Sequence, residues 1–246
     1  MGKVIEGIGG IKFQTIGTHD LISRALADRG GYEPEILEIS RHIIRLNGGR
    51  VIDVGANIGT FCIPLAKEFP NTAFTAFEAQ PAVYAALLDS IALNGVSNVE
   101  AIKQGVSDCA ETISASIPDY ENEPNIGAFS LDAEVRANDY EVKTVGGMET
   151  FSLVPLDDFN MTDVALLKID VEGMEFKVVA GAAKTLRDSN FPPIIFEAWT
   201  WKPFYLPRRE MLYQYLQEMG YEIIQIGQNN LAQHCSRANK LHINFV

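Results

Sequence analysis

The sequence predicts an α/β fold built on a mostly parallel β-sheet with helices on both faces. Three observations predict it. From residue 50 onward, short apolar runs of strand length alternate with stretches of helical period. The first run leads into the glycine-bearing turn Asp53-Val54-Gly55-Ala56-Asn57-Ile58-Gly59. The second run ends on an acid, Glu78, about twenty residues further on.

Taken in order, residues 1–49 read as a cap on the substrate side of the main domain. Gly7-Ile8-Gly9-Gly10 reads as a flexible stretch or a turn, and Pro34 opens a helix that Asn47-Gly48-Gly49 closes, because glycine and asparagine tolerate the left-handed conformation. The main domain is expected over 50–246. Arg50–Val54 is its first strand, followed by a helix over Thr60–Phe69. Ala73–Phe77 is the second strand, Pro81–Asn94 the next helix and Val99–Lys103 the third strand. The rhythm breaks at about 110–155, a polar stretch with Pro118, Pro124 and Gly146-Gly147, read as an inserted loop and hairpin. It resumes with the strand Val164–Ile169, a helix over Glu175–Leu186, the strand Pro193–Phe196 and a helix over 207–219. Tyr221–Ile226 and Leu241–Val246 are expected to close the chain as an antiparallel hairpin.

The 246 residues, 47% of them hydrophobic, suffice for one sizeable core. A net charge of −12 argues against a general nucleic-acid or anionic-membrane surface, which needs clustered lysine and arginine. No apolar run is long enough to span a bilayer, and the first residues lack the apolar core of a secretion signal. Three widely spaced cysteines, Cys62, Cys109 and Cys235, are expected as reduced thiols in the cytoplasm.

A glycine turn between a strand and a helix lets a ligand approach the backbone and the helix N-terminus. A dinucleotide site wants G-x-G-x-x-G; counted from Gly55, the second and third glycines are replaced by Asn57 and Thr60. The turn therefore suits a nucleoside ligand without a pyrophosphate, with Glu78 placed to accept both ribose hydroxyls. Ser107-Asp108 after the third strand adds polar groups on that side.

Three segments resemble the FkbM-type methyltransferase family. They are Asp53–Gly59, Phe77-Glu78-Ala79-Gln80-Pro81 followed by Asn94, and Lys168-Ile169-Asp170-Val171-Glu172-Gly173-Met174-Glu175. Pro124–Leu131 and Val106-Ser107-Asp108 are similar to looser segments of that family, with Gly105 where an alanine is usual. The resemblance covers roughly 50–200. It implies a class I methyltransferase, Rossmann-like fold: a seven-stranded, mostly parallel sheet with a terminal antiparallel hairpin. It implies S-adenosylmethionine as methyl donor and O-methylation of a hydroxyl on a sugar or natural product, with N-methylation of a peptide side-chain amide as the alternative. The expected cofactor-binding residues are Asp53, Gly55, Ala56, Asn57, Gly59, Thr60, Glu78, Ala79, Ser107, Asp108 and Asp170.

Methyl transfer needs alignment and exclusion of water, and a hydroxyl acceptor gains from a base. Ligands of open α/β sheets bind beyond the carboxyl ends of the strands. The fourth strand delivers Asp170 and Glu172 there, and the fifth delivers Glu197. These acids are the catalytic candidates, Asp170 first, with His19 in the cap as a lesser one. The same three acids are oxygen ligands by type, but their spacing demands no cation, and no metal is expected. Lys168 reads as an exposed or snorkelling lysine. Trp199, Trp201, Phe204 and Tyr205 form either a pocket wall or a hydrophobic lid, and Tyr32 with Glu33 and Glu35 is placed to close the pocket from the other side. Two further readings compete: a nicotinamide-dependent oxidoreductase, disfavoured by Asn57 and Thr60, and a silent methyltransferase-like binding module. Thermal shifts with S-adenosylmethionine, S-adenosylhomocysteine and NAD separate all three.

Overall fold

The computed structural model describes residues 2–17, 20–139 and 142–241. The leading segment is a small hairpin, β1 (Val4–Glu6) and β2 (Lys12–Gln14), then α1 (Leu21–Arg29) and α2 (Pro34–Asn47). The main sheet starts with β3 (Arg50–Val54), α3 (Cys62–Glu68), β4 (Phe74–Phe77), α4 (Pro81–Asn94) and β5 (Val99–Ile102). An excursion follows: β6 (Gly105–Val106), β7 (Glu111–Pro118), α5 (Ala133–Asn138) and β8 (Thr144–Val154). The chain then returns through β9 (Val164–Ile169), α6 (Glu175–Ala180), α7 (Ala183–Asp188), β10 (Ile194–Glu197), α8 (Leu206–Glu218), β11 (Tyr221–Ile226) and β12 (Asn229–His234).

The main sheet has seven strands in the order β11-β12-β10-β9-β3-β4-β5. All run parallel except β12, which is antiparallel to both of its neighbours. This is the expected fold class. Helices cover both faces, so the central strands bury both sets of alternating side chains. Val51 and Leu166 face Ile43, Leu65 and Leu87 on one side. Ile52 and Leu167 face Val178, Leu186 and Leu212 on the other.

Register sets the site. Val54 pairs with Phe77 and with Ile169, and Ile169 pairs with Phe196. The next residue on each strand is Gly55, Glu78, Asp170 or Glu197, so these four form one row past the carboxyl edge.

Three features depart from the sequence reading. The closing hairpin is made by β11 with β12 through Gly227 (φ +61°). The strand expected at Leu241–Val246 lies, apart from Leu241, outside the described residues, and Leu241 itself is not in a strand. The helix expected over Glu175–Leu186 is two helices: a Cβ at Gly181 would lie 2.0 Å from the Ser107 carbonyl oxygen, and Asp157 caps the second helix at Lys184 N and Thr185 N (2.9 and 2.7 Å). The leading segment carries a hairpin that the sequence reading leaves out. It docks on α4, where Gln14 N donates to Ser90 Oγ (2.9 Å) and Lys12 N to Asn94 Oδ1 (3.0 Å). Among the described residues no helix is long and apolar enough to cross a membrane.

Candidate active site

A cavity of about 430 Å³ opens at the carboxyl edge of the sheet. That is within the range of small-molecule sites. Its base is the loop after β3. Gly55 has φ +83°, and a Cβ there would lie 1.8 Å from the Asp170 backbone oxygen, so only glycine lets β3 and β9 end this close together. Asn57 (φ +51°) takes the left-handed turn and its Oδ1 accepts from Ile58 N at 2.8 Å. Gly55, Ala56, Asn57 and Thr60 line the cavity.

At one end stands Glu78, which is 6% exposed. Its Oε2 accepts from Asn57 N (3.0 Å) and its Oε1 from Gln80 N (2.8 Å), which ties the β4 tip to the glycine loop. Burial outweighs those bonds and pushes its carboxyl up to about 7. Ala79, Gly105, Phe129, Leu131 and Leu153 complete this end as an apolar slot. A carboxylate beside an apolar slot suits the ribose and base of a nucleoside, so these residues fit S-adenosylmethionine.

At the other end the cavity is acidic and aromatic. Asp170, Glu172 and Glu197 each place a carboxylate oxygen within 4.8 Å of the others, an arrangement whose chemistry also suits a divalent cation. Glu33, at the start of α2, adds a fourth acid and is held by Asn229 Nδ2, which donates to its Oε1 (2.8 Å). Tyr32, Trp199 and Trp201 supply the walls. The three clustered acids are not equivalent. Glu197 is pushed up to about 8 by burial and then by Asp170. Glu172, held at φ +52°, is raised well above the usual range by burial, then by Asp170 and Glu197. Asp170 is the member with a cation against it, Lys168 Nζ donating to its Oδ2 at 3.1 Å.

Lys168 is not the exposed lysine expected from the sequence. Position 168 is the penultimate residue of β9, the middle strand of the sheet, covered on both faces, and the residue is 4% exposed. Its Nζ lies 3.8 Å from Asp53 Oδ1 and 5.4 Å from the centre of the Phe61 ring. Burial alone would lower its pKa, but Asp170, Asp53 and Glu33 together raise it above the ordinary lysine value, so it stays charged.

Of the eleven expected cofactor residues, Asp53, Gly59, Ser107 and Asp108 do not line the cavity. Asp53 lies beneath the loop at 0% exposure. Gly59 faces α3 and α4, where a Cβ would meet Ile63 and Leu87 (2.4 and 2.9 Å). Ser107 and Asp108 are carried away from the cavity by β6, whose continuation Ser107 N donates to Val154 O in the inserted sheet; the lining is made by Gln104, Gly105 and Val106 instead. His19 lies outside the described residues. Tyr32 and Glu33 line the cavity and Glu35 does not. Trp199 and Trp201 line it, while Phe204 and Tyr205 pack behind Trp199. The sequence reading missed Phe129, Leu131 and Asp139 of the insertion. The available signal was the Asn125–Leu131 segment itself, read as a family likeness rather than as a roof over the cavity.

The raised acids predict how stability varies with pH. Asp53 (about 6), Glu78 (about 7) and Glu197 (about 8) all bind a proton more tightly folded than unfolded, burial being the first cause for each. Their contribution is full below the ordinary carboxylate range and is lost as pH rises through 6 to 8. The ligand-free protein is therefore expected to melt higher at pH 5.5 than at pH 8.5. Differential scanning fluorimetry across that interval checks this, and a melting temperature that climbs with pH contradicts it.

A family profile described as the methyltransferase FkbM domain matches residues 53–223. The chain is 31% identical over 148 residues to methyltransferase 1 of Beauveria bassiana (strain ARSEF 2860), covering 53% of this chain and 57% of that one. It is 28% identical over 153 residues to methyltransferase sdnD of Sordaria araneosa (53% and 59%). It is 30% identical over 182 residues to the 31-O-demethyl-FK506 methyltransferase FkbM of Streptomyces tacrolimicus (63% and 66%). It thus spans less than two thirds of the length of each of these relatives. The crystal structure of methyltransferase FkbM from Methylobacillus flagellatus KT shares the fold, with a TM-score of 0.50 at 13% identity over 75% of this chain and 43% of that one. The profile match spans most of the chain, including the glycine loop, Glu78 and the acid-bearing end of β9, and so the chain belongs to the FkbM methyltransferase family.

Proposed function

We propose that the protein methylates a hydroxyl group on a sugar or natural-product acceptor, with S-adenosylmethionine as donor. The observation that carries this is one continuous cavity joining Glu78 to the Asp170–Glu172–Glu197 cluster, in which Asp170 has a lysine against it and the two glutamates are pushed toward their neutral form. The relative named as a 31-O-demethyl-FK506 methyltransferase supports an oxygen acceptor.

Glu78, Ala79, Thr60 and the Gly55–Asn57 loop are the residues that would hold the donor. S-adenosylmethionine bound there supplies an electrophilic methyl on a sulfonium, so the protein's task is alignment and a proton acceptor. Asp170 takes the proton of the acceptor hydroxyl as its oxygen gains the methyl. Glu172 and Glu197, pushed toward their neutral form by burial, donate hydrogen bonds to neighbouring acceptor oxygens. This division follows the rule that environments which push titratable groups apart assign their roles. Trp199 and Tyr32 keep water from the reacting atoms.

S-adenosylhomocysteine is expected to raise the melting temperature and NAD is not. At a hundred times its dissociation constant a ligand adds about 2.7 kcal/mol. For a domain of this size that is roughly 5–10 °C. A shift with NAD and none with S-adenosylhomocysteine overturns the reading. Mass spectrometry of extracts incubated with the protein and donor then identifies the acceptor by its gain of one methyl group.

A further inference from the structure

Glu175 is a buried acid that the proposed chemistry does not use. It is 2% exposed, and among the described residues no lysine, arginine or histidine pairs with it. Burial raises its pKa, against the bonds it accepts from Tyr205 and Gly173. A carboxyl group buried with no cation beside it is costly to desolvate, and the bonds it accepts offset that cost only in part. Its two oxygens reach different loops. Oε1 accepts from Gly173 N at 2.9 Å, and Oε2 accepts from Tyr205 Oη at 2.6 Å.

Those loops are the two walls of the acidic end. Gly173 (φ +100°) follows Glu172 (φ +52°), so the bond to Gly173 N grips a turn made of two left-handed residues, one of them not glycine. A Cβ at Gly173 would come within 2.7 Å of Val135 and 3.5 Å of Trp199, so the turn has no room to relax outward. Tyr205 is buried with its ring 4.8 Å from that of Trp199, tilted by 56°. Lys202 Nζ covers Trp199 from 3.2 Å and pairs with Asp139 of the insertion. Trp199 is thus packed from more than one side: it lies directly against Gly173, and a hydrogen-bonded link from its neighbour Tyr205 to the acid turn runs through Glu175.

We propose that Glu175 is a positioning residue that sets the spacing of the acceptor end, holding the Glu172 turn through Gly173 and the Trp199 wall through Tyr205. Its role in turnover rests on the functional reading above; its role in geometry does not. Misplacing a wall by about an ångström costs on the order of a hundredfold in rate, so the effect belongs in turnover.

Three variants test it in the full chain: Glu175→Leu, Glu175→Gln and Tyr205→Phe. Each is read by amide exchange at Gly173, by calorimetry with S-adenosylhomocysteine, and by transfer of labelled methyl from S-adenosylmethionine to extract. Glu175→Leu fills the same space without either bond. Its Gly173 amide is expected to exchange roughly tenfold faster or more, and transfer to fall roughly tenfold to a hundredfold, with the dissociation constant within about twofold of wild type. Glu175→Gln rescues both, because its amide oxygen accepts from Gly173 N and its NH₂ donates to the Tyr205 oxygen. Tyr205→Phe keeps Gly173 protected and loses transfer. Wild-type exchange at Gly173 in Glu175→Leu overturns the proposal, as does cofactor affinity lost in step with transfer, which marks a merely structural residue. A wild-type protein that binds no donor and transfers nothing sinks the functional reading, and the exchange result still decides the positioning claim.

Discussion

Asp170→Asn is expected to lower turnover by about 10²–10⁴-fold while leaving cofactor affinity within a few-fold of wild type. The amide keeps the size of the carboxylate, and its oxygen can still accept the bond from Lys168 Nζ that Asp170 Oδ2 receives at 3.1 Å. The backbone that shapes the loop is untouched: Asp170 N donates to Val54 O at 2.9 Å, and the carbonyl packs against Gly55. What the variant lacks is the ability to take a proton. The neighbouring acids do not substitute. Glu197 is pushed up to about 8, and Glu172 is raised well above the usual carboxylate range, burial being the first cause for each, so both favour the protonated form that cannot act as a base. Single-turnover transfer with saturating S-adenosylmethionine, together with calorimetry on S-adenosylhomocysteine, separates the outcomes. If Asp170 instead holds the ammonium group of the donor, affinity falls and turnover at saturation survives. Wild-type turnover by the variant removes the catalytic role.

The row of Gly55, Glu78, Asp170 and Glu197 at the edge of the sheet was largely legible in the sequence, because period and punctuation determine where strands end. Strands β3, β4, β9 and β10 were each marked by an apolar run closed by Gly55, Glu78, Asp170 or Glu197, and a parallel sheet places such residues side by side. The leading hairpin escaped notice because its strands are three residues each, too short for alternation to register, and its docking on α4 depends on Ser90 and Asn94 far along the chain. Four of the residues expected to hold the cofactor do not line the cavity, for a different reason. Motif membership does not say which way a residue faces. Asp53 and Gly59 belong to the same motif as Gly55 and Asn57, yet alternation along β3 sends Asp53 under the loop, and the turn sends Gly59 against Leu87. Phe129 and Asp139 reach the cavity only through the path of the insertion, which no local periodicity encodes. The pairing of Glu175 with both Gly173 and Tyr205 lay equally out of reach, since it joins residues 30 apart in sequence.

Lys168→Met is expected to destabilise the fold by about 3–5 kcal/mol, the usual consequence of removing one partner from a buried ion pair. That corresponds to a fall in melting temperature of roughly 6–20 °C. Methionine nearly matches the lysine stem, so packing against Phe61 survives and the loss is electrostatic. The group left behind is Asp53, at 0% exposure. Its two oxygens accept no N–H or O–H hydrogen bond; their neighbours are the Cys62 thiol and Lys168 Nζ at 3.8 Å. Burial has already pushed Asp53 up to about 6 against the pull of Lys168. Without the lysine its folded pKa rises further above the unfolded value, so the protonated form is favoured by folding and stability falls as pH climbs through that higher pKa. The defect is therefore larger at pH 8.5 than at pH 5.5. Adding Asp53→Asn removes the orphaned charge, and the double variant is expected to regain more than half of the lost stability at pH 8.5. Asp170, with a side chain 31% exposed, reaches solvent and adds little to the penalty. Denaturant melts of wild type, single and double variants at both pH values form the cycle. A single variant within about 1 kcal/mol of wild type at pH 8.5, or a double variant no better than the single, rules out Lys168 as the counter-charge that makes a buried Asp53 tolerable.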